Sequence, residues 1–286
     1  MKKCIIVPLA VVVVLLVIAS FFDLRIAVSI YNPQNHFSEF FAVAGMAPQI
    51  GIQLMSPAML FAVLFEKRRT MKAPIVAAIL AALLLAGAAL LYVTVRDVLK
   101  ETRAPAPVLI AVTCFVMFLF FLAALPFAKK NPDGLLVTAL TGLVAFTLGY
   151  AVLQALKTAW GRQRFCTMDN AAEQFTKWYI PRGGGYSDDF KSFPSGHSFA
   201  AMCAIWFALW PCFIDGLKKY TGLILTAALL FGFAVMASRM ICGRHFLSDV
   251  TVGAAICTAS FALAKKLVCR RLVDFRINTQ RIPMNG

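Results

Sequence analysis

A chain of 286 residues that is 60% hydrophobic and 14% charged, with a mean hydropathy of +0.79, is too apolar for an ordinary soluble domain. Its net charge of +15 does not point to nucleic acid: the basic residues stand in short clusters between apolar runs, where they set membrane orientation and attract anionic head groups. Runs of about 20 apolar residues, enough to cross a hydrocarbon core of roughly 30 Å as a helix, recur from end to end. The fold class is therefore read as all-α, a polytopic transmembrane helix bundle.

In chain order, residues 4–22 follow Met1-Lys2-Lys3 and form a run longer than a secretory signal core, with no small-x-small cleavage site after it. They are read as a retained first span. Residues 23–48 are mixed, and Ile26, Ile30, Phe37, Phe40 and Phe41 make an imperfect helical stripe suited to the interface. His36 within it reads as a solvated surface histidine. A second span, 50–65, ends at Glu66-Lys67-Arg68-Arg69 with Lys72 close behind, which the positive-inside rule makes cytoplasmic. The next spans are 73–95 and 108–127, the latter closed by the turn Lys129-Lys130-Asn131-Pro132-Asp133. Spans at 135–156, 197–213, 221–237 and 250–267 follow, and a basic tail ends the chain.

That makes about eight spans with both termini cytoplasmic, organised as N-terminal helices (1–134), a core (135–267) and a cytoplasmic tail (268–286). Alternation puts Lys157, Arg164, His197, Arg239 and His245 together on the extracytoplasmic side. The longest polar connection, 158–193, carries Trp178, Tyr179 and Tyr186 for an interface and Gly183-Gly184-Gly185 for movement, while Asp188 and Asp189 read as a solvated turn. The eight cysteines contain no C-x-x-C pair. Cys166 and Cys242 fall on one membrane side, as a disulfide or as two unrelated thiols.

Three polar islands at the ends of apolar runs carry the chemistry, and two of the three histidines lie in them. If the fifth helix continues, Lys157 and Arg164 lie on nearly one face, roughly 10 Å apart along the axis, and can hold a tetrahedral anion from two sides; side chains snorkelling to the interface would look the same. Arg162 points elsewhere on that geometry. Pro194-Ser195-Gly196-His197 opens the sixth run: backbone N–H groups at a helix N-terminus bind anions, Gly196 permits close approach, Ser195 adds a hydroxyl, and His197 can deliver a proton. A helix cap with a buried histidine is the plain alternative. In the third island His245 and Asp249 are spaced i, i+4, so one helical turn brings the carboxylate to the imidazole, which can make the histidine a nucleophile. Arg239 offers a donor fork for phosphate oxygens, and Arg244 reads as a surface or head-group contact.

Together the islands resemble the signature of the type 2 phosphatidic acid phosphatase superfamily of integral-membrane lipid phosphatases: K-x6-R-P, P-S-G-H and S-R-x5-H-x3-D. Here they stand as Lys157 to Arg164, Pro194 to His197 and Ser238 to Asp249, with Phe165 in place of the first motif's proline. The resemblance implies a six-span phosphatase core, so one pair of predicted spans is additional. It also implies roles: His245 attacks phosphorus to give a phosphohistidine, Asp249 orients it, and His197 protonates the leaving group and then activates water. Lys157, Arg164, Ser195, Gly196 and Arg239 bind the phosphoryl oxygens. No metal or other cofactor is implied. The implied partner is a membrane lipid phosphate at the outer leaflet, such as phosphatidic acid, phosphatidylglycerol phosphate, undecaprenyl diphosphate or phosphorylated lipid A. Phosphoryl transfer to an acceptor other than water, and a non-catalytic lipid binder, are the competing readings.

Overall fold

The computed structural model describes residues 2–67, 106–184 and 187–280. The predicted span 73–95, the basic residues Arg68, Arg69 and Lys72, and Tyr186 lie outside them. Every regular element among the described residues is helical: α1 (Lys2–Ile30), α2 (His36–Ala44), α3 (Ala47–Lys67), α4 (Ala106–Lys130), α5 (Pro132–Trp160), α6 (Gly196–Met202), α7 (Thr221–Ile241) and α8 (Leu247–Gln280), with short helical turns between α5 and α6 and between α6 and α7.

Six helical segments among these residues are long and apolar enough to cross a membrane: Pro8–Ile30, His36–Lys67, Ile110–Lys130, Pro132–Thr167, Asp215–Ile241 and Leu247–Arg270. With the large apolar residues exposed on α1 and α4, among them Leu9, Val14, Phe21, Phe115 and Phe118, this makes the chain an integral membrane protein. Two predicted spans come out differently. The first continues past Phe22 to Ile30, carrying Asp23 inward to a buried position, where it pairs with the buried Arg162. The run 197–213 is the seven-residue α6 followed by ten residues of 3-10 helix, Cys203–Cys212, and so is not among the six.

Local chemistry sets the helix ends. Asn131 separates α4 from α5: its side chain accepts from Gly134 N–H at 3.0 Å and donates to the Cys212 carbonyl at 3.0 Å, with Pro132 at the first helical position. α2 starts on Asn35, whose side chain accepts from Ser38 N–H at 3.2 Å. Its Phe37 and Phe40 are exposed while Ser38 is buried, the inversion expected beside lipid. His36 is 96% exposed and pairs with Glu39. α5 ends at Gly161 and α7 at Gly243, both with positive φ, which only glycine adopts readily as a helix stop.

The chain forms two compact units. One takes Met1–Gln49, Leu148–Ile205 and Ile224–Ala259; the other takes Ile50–Thr147, Trp206–Leu223 and Ser260–Gly286. Within the second, Phe61 meets Phe121 edge-on at 4.7 Å, and Trp206 donates to the Thr138 carbonyl at 2.9 Å over Gly142, where a Cβ would strike the indole. The first unit holds all eight predicted site residues.

Candidate active site

Three helix ends build the site. α5 delivers Lys157 in its last turn, with Nζ donating to the Lys191 carbonyl at 3.0 Å. The helix then stops, so Lys157 and Arg164 do not share a helical face: the chain turns at Gly161 and Arg164 returns in extended backbone, φ −78° and ψ 142°. That is the conformation a following proline would impose. Arg164 thus keeps the extended backbone with Phe165 after it, and the Phe165 ring packs on Tyr31 at 5.1 Å and Phe246 at 6.2 Å.

Arg164 is paired in two places with Asp188, at 2.9 and 3.2 Å, so Asp188 is no simple solvated turn. The buried Nε–H of Arg164 has no hydrogen-bond partner among the described residues, a donor in want of an anion. Arg244 is half-exposed and 3.8 Å from Asp188, in keeping with a surface position.

The second island caps α6. Ser195, fully buried, accepts at Oγ from Ser198 N–H at 3.3 Å and Ser198 Oγ at 2.9 Å, which leaves its own hydroxyl proton to donate. A Cβ on Gly196 would lie 3.6 Å from Lys157 Cε, so the lysine stem runs along this turn. Ser195 N–H donates to the Asp249 carbonyl at 2.9 Å, and a Cβ on Gly253 would fall onto the Ser195 carbonyl. Gly253 is thus what lets α8 lie against the second island, a residue that the motif spacing does not mark.

The third island is a helix stop followed by a helix start. Past Gly243 the N–H groups of Arg244 and His245 return to the Arg239 carbonyl at 3.1 and 3.2 Å, which fixes arginine and histidine relative to one another. Arg239 itself is anchored by Nη2 on the Ser38 carbonyl at 2.6 Å. Asp249 then opens α8 by accepting from Phe246 N–H at 2.8 Å, half of a capping box.

The imidazole–carboxylate contact expected from the i, i+4 spacing is not a hydrogen bond: His245 Nδ1 is 4.0 Å from Asp249. Nδ1 instead meets the Ser192 carbonyl at 2.6 Å, and Ser192 Oγ donates to Asp249 Oδ2 at 2.6 Å. A carbonyl only accepts, so Nδ1 carries the proton and Nε2 keeps its lone pair. Asp249 also takes Arg162 Nη1 at 2.6 Å, so Arg162, which helical periodicity sets apart from Lys157 and Arg164, is wholly buried against it. Neither Ser192 nor Arg162 falls at a position the resemblance assigns.

Burial, with the positive charges of Arg239, Lys157 and Arg164, pushes His197 down to about 3, while the Ala42 backbone works in the opposite direction. Burial and the charges of Lys157 and Arg164 likewise hold His245 well below the usual imidazole range. The two histidines and the three cations therefore act within one electrostatic neighbourhood. Cys166 and Cys242 are free thiols, with Cys166 N–H on the Gly243 carbonyl at 3.0 Å.

The model of the PAP2 superfamily matches residues 135–272. Over that stretch the chain belongs to the PAP2 superfamily. No curated protein and no solved structure matches it. PAP2 membership carries phosphatase activity on lipid-like substrates as the general expectation. The matched residues include all three islands and exclude α1, which nonetheless contributes Asp23 to the polar interior beside Asp249.

Proposed function

We propose that the protein is a metal-independent lipid phosphatase that works through a phosphohistidine on His245, with its site facing the outer leaflet of the cell membrane and both termini cytoplasmic. The observation that carries this reading is the Ser192 carbonyl on His245 Nδ1 at 2.6 Å, since that hydrogen bond leaves Nε2 as the nucleophilic nitrogen.

In the first step the Nε2 lone pair forms the N–P bond as the bond from phosphorus to the lipid oxygen breaks, and His197 gives that oxygen a proton. In the second, water attacks phosphorus, His197 takes the water's proton, and the N–P bond breaks to release phosphate and restore both histidines. Lys157, Arg164, Arg239, Ser195 and the Gly196 turn stabilise the charge on the equatorial oxygens. Asp249 positions His245 through Ser192 and does not touch the ring.

The test is phosphate release by the purified protein from a panel of lipid mono- and diphosphates in excess EDTA, beside His245→Ala, with acid-quenched protein examined for acid-labile phosphate. The expected result is EDTA-resistant release, a phosphoenzyme in the parent protein, and a loss of about 1,000-fold or more in His245→Ala. Undiminished release by His245→Ala refutes the nucleophile, and strict dependence on added metal refutes the metal-free chemistry.

A further inference from the structure

Asp23 and Arg162 carry buried charge that the proposed reaction does not use. The Asp23 and Arg162 side chains are each 1% exposed and that of Asp249 is 0% exposed, so two carboxylates and one guanidinium are enclosed together. Arg162 reaches Asp249 Oδ1 with Nη1 at 2.6 Å and Asp23 Oδ2 with Nη2 at 3.0 Å. Its Nε donates to the Thr176 carbonyl at 3.0 Å, and its face lies 4.2 Å over the Phe246 ring. Asp23 Oδ1 accepts from Ser248 N–H at 3.0 Å, and Ser248 Oγ bridges Arg162 Nη1 at 2.8 Å to Asp23 Oδ2.

A buried ion cluster of this kind is poor at adding stability, because desolvation offsets the attraction. An ionisable residue inside a membrane helix is by default a functional one. What the cluster does supply is direction. Arg162 is held between two carboxylates, so the pull of Asp23 determines where its guanidinium stands and hence which oxygen of Asp249 is left to Ser192. Ser192 in turn holds the proton-bearing nitrogen of His245.

We propose that Asp23, on the first membrane helix, is a positioning residue for the His245 nucleophile, acting through Arg162, Asp249 and Ser192. The inference rests on the phosphohistidine reading above. It ties α1, outside the family-matched residues, to the chemistry. Asp23 touches neither phosphate nor imidazole; its part is to keep Nε2 aimed at phosphorus.

The experiment is a double-mutant cycle of Asp23→Asn and Arg162→Met, read as the single-turnover rate of phosphoenzyme formation and as inhibition by inorganic phosphate. Asp23→Asn is expected to slow phosphoenzyme formation about 10- to 100-fold with phosphate inhibition within about twofold of the parent, because the cations that bind phosphate are untouched. In the Arg162→Met background the same change should cost almost nothing more, as residues acting through one another are non-additive. Additive losses, or a loss of phosphate affinity equal to the loss of rate, overturn the proposal. If Asp23→Asn fails to fold, Asp23→Glu keeps the charge on a longer arm and is expected to lower the rate about 10-fold; a parental rate overturns the proposal. His245→Ala separates the two levels: an active His245→Ala protein refutes the phosphatase reading, whereas an inactive one beside additive Asp23 and Arg162 effects refutes only the positioning role.

Discussion

The acid role proposed for His197 predicts a definite pH dependence. Burial and the charges of Arg239, Lys157 and Arg164 push this histidine down to about 3, so at pH 7 about one molecule in 10,000 carries the imidazolium that would protonate the leaving oxygen. That proton can arrive on the substrate instead. A phosphomonoester has a second pKa of about 6, and its monoanion with neutral His197 holds the same number of protons as the dianion with the imidazolium. Once bound, the phosphate offsets the cations that depress His197, and the proton can pass to the ring. kcat/KM should therefore follow the monoanion, level from about pH 4 to 6 and falling about tenfold per unit above, to about 100-fold below its plateau at pH 8. Burial and the charges of Lys157 and Arg164 hold His245 below the usual imidazole range too, which works against its protonation on the acid side. The assay is initial rates on a short-chain phosphatidic acid in detergent with EDTA. A kcat/KM that climbs from pH 6 to 8, or stays level across it, refutes the proton assignment.

Two substitutions test the geometry directly. Gly253→Ala places a methyl on the Ser195 carbonyl, so α8 or the second island must retreat; kcat/KM should fall about 100-fold in a protein that still purifies as a folded species, because a displacement near 1 Å in a phosphate site costs about that much. A loss below about threefold refutes the packing argument. Asp188→Asn removes the carboxylate that, on the proposed reading, would compete with phosphate for Arg164; with Asp188 half-exposed, the competing bond contributes about 1 kcal/mol, so KM should fall about fivefold at unchanged kcat. A higher KM would mean that Asp188 orients the arginine for substrate.

The membrane class and the three islands were legible in the sequence because both are written in local pattern: apolar length for the spans, fixed spacing for the motifs. What was not legible is what long-range pairing decides. Hydropathy sees Asp23 as the end of a span, since no local window contains Arg162 and Ser248, whose hydrogen bonds make a carboxylate there affordable. Helical periodicity carried past Trp160 puts Lys157 and Arg164 on one face and turns Arg162 away, whereas Gly161 breaks the helix and reverses that geometry. The i, i+4 spacing of His245 and Asp249 does bring the side chains near, but Asp249 is already occupied by Phe246 N–H, Ser192 and Arg162. The spacing alone gives no count of competitors.

The spacers of the signature also acquire a physical meaning. Six residues between Lys157 and Arg164 are the last turn of α5, a glycine stop and a short return; five between Arg239 and His245 are the end of α7 and the Gly243 stop. Three between His245 and Asp249 place the acid at the third position of α8, where it can reach back to cap the helix. Lys157 and Arg239 thus sit in the last turns of α5 and α7, where the partial negative charge of a helix end favours a cation, and Ser195 sits at the N-terminus of α6, where donors gather. Lys157, Arg239, Ser195 and Asp249 each stand where a helix end already favours the charge or hydroxyl they carry. Substitutions within the spacers should accordingly be tolerated when they preserve Gly161, Gly243 and the hydrogen-bonded Arg162 and Ser248, whereas lengthening or shortening the stops should be damaging, since one added residue there moves a cation and a histidine apart without altering either.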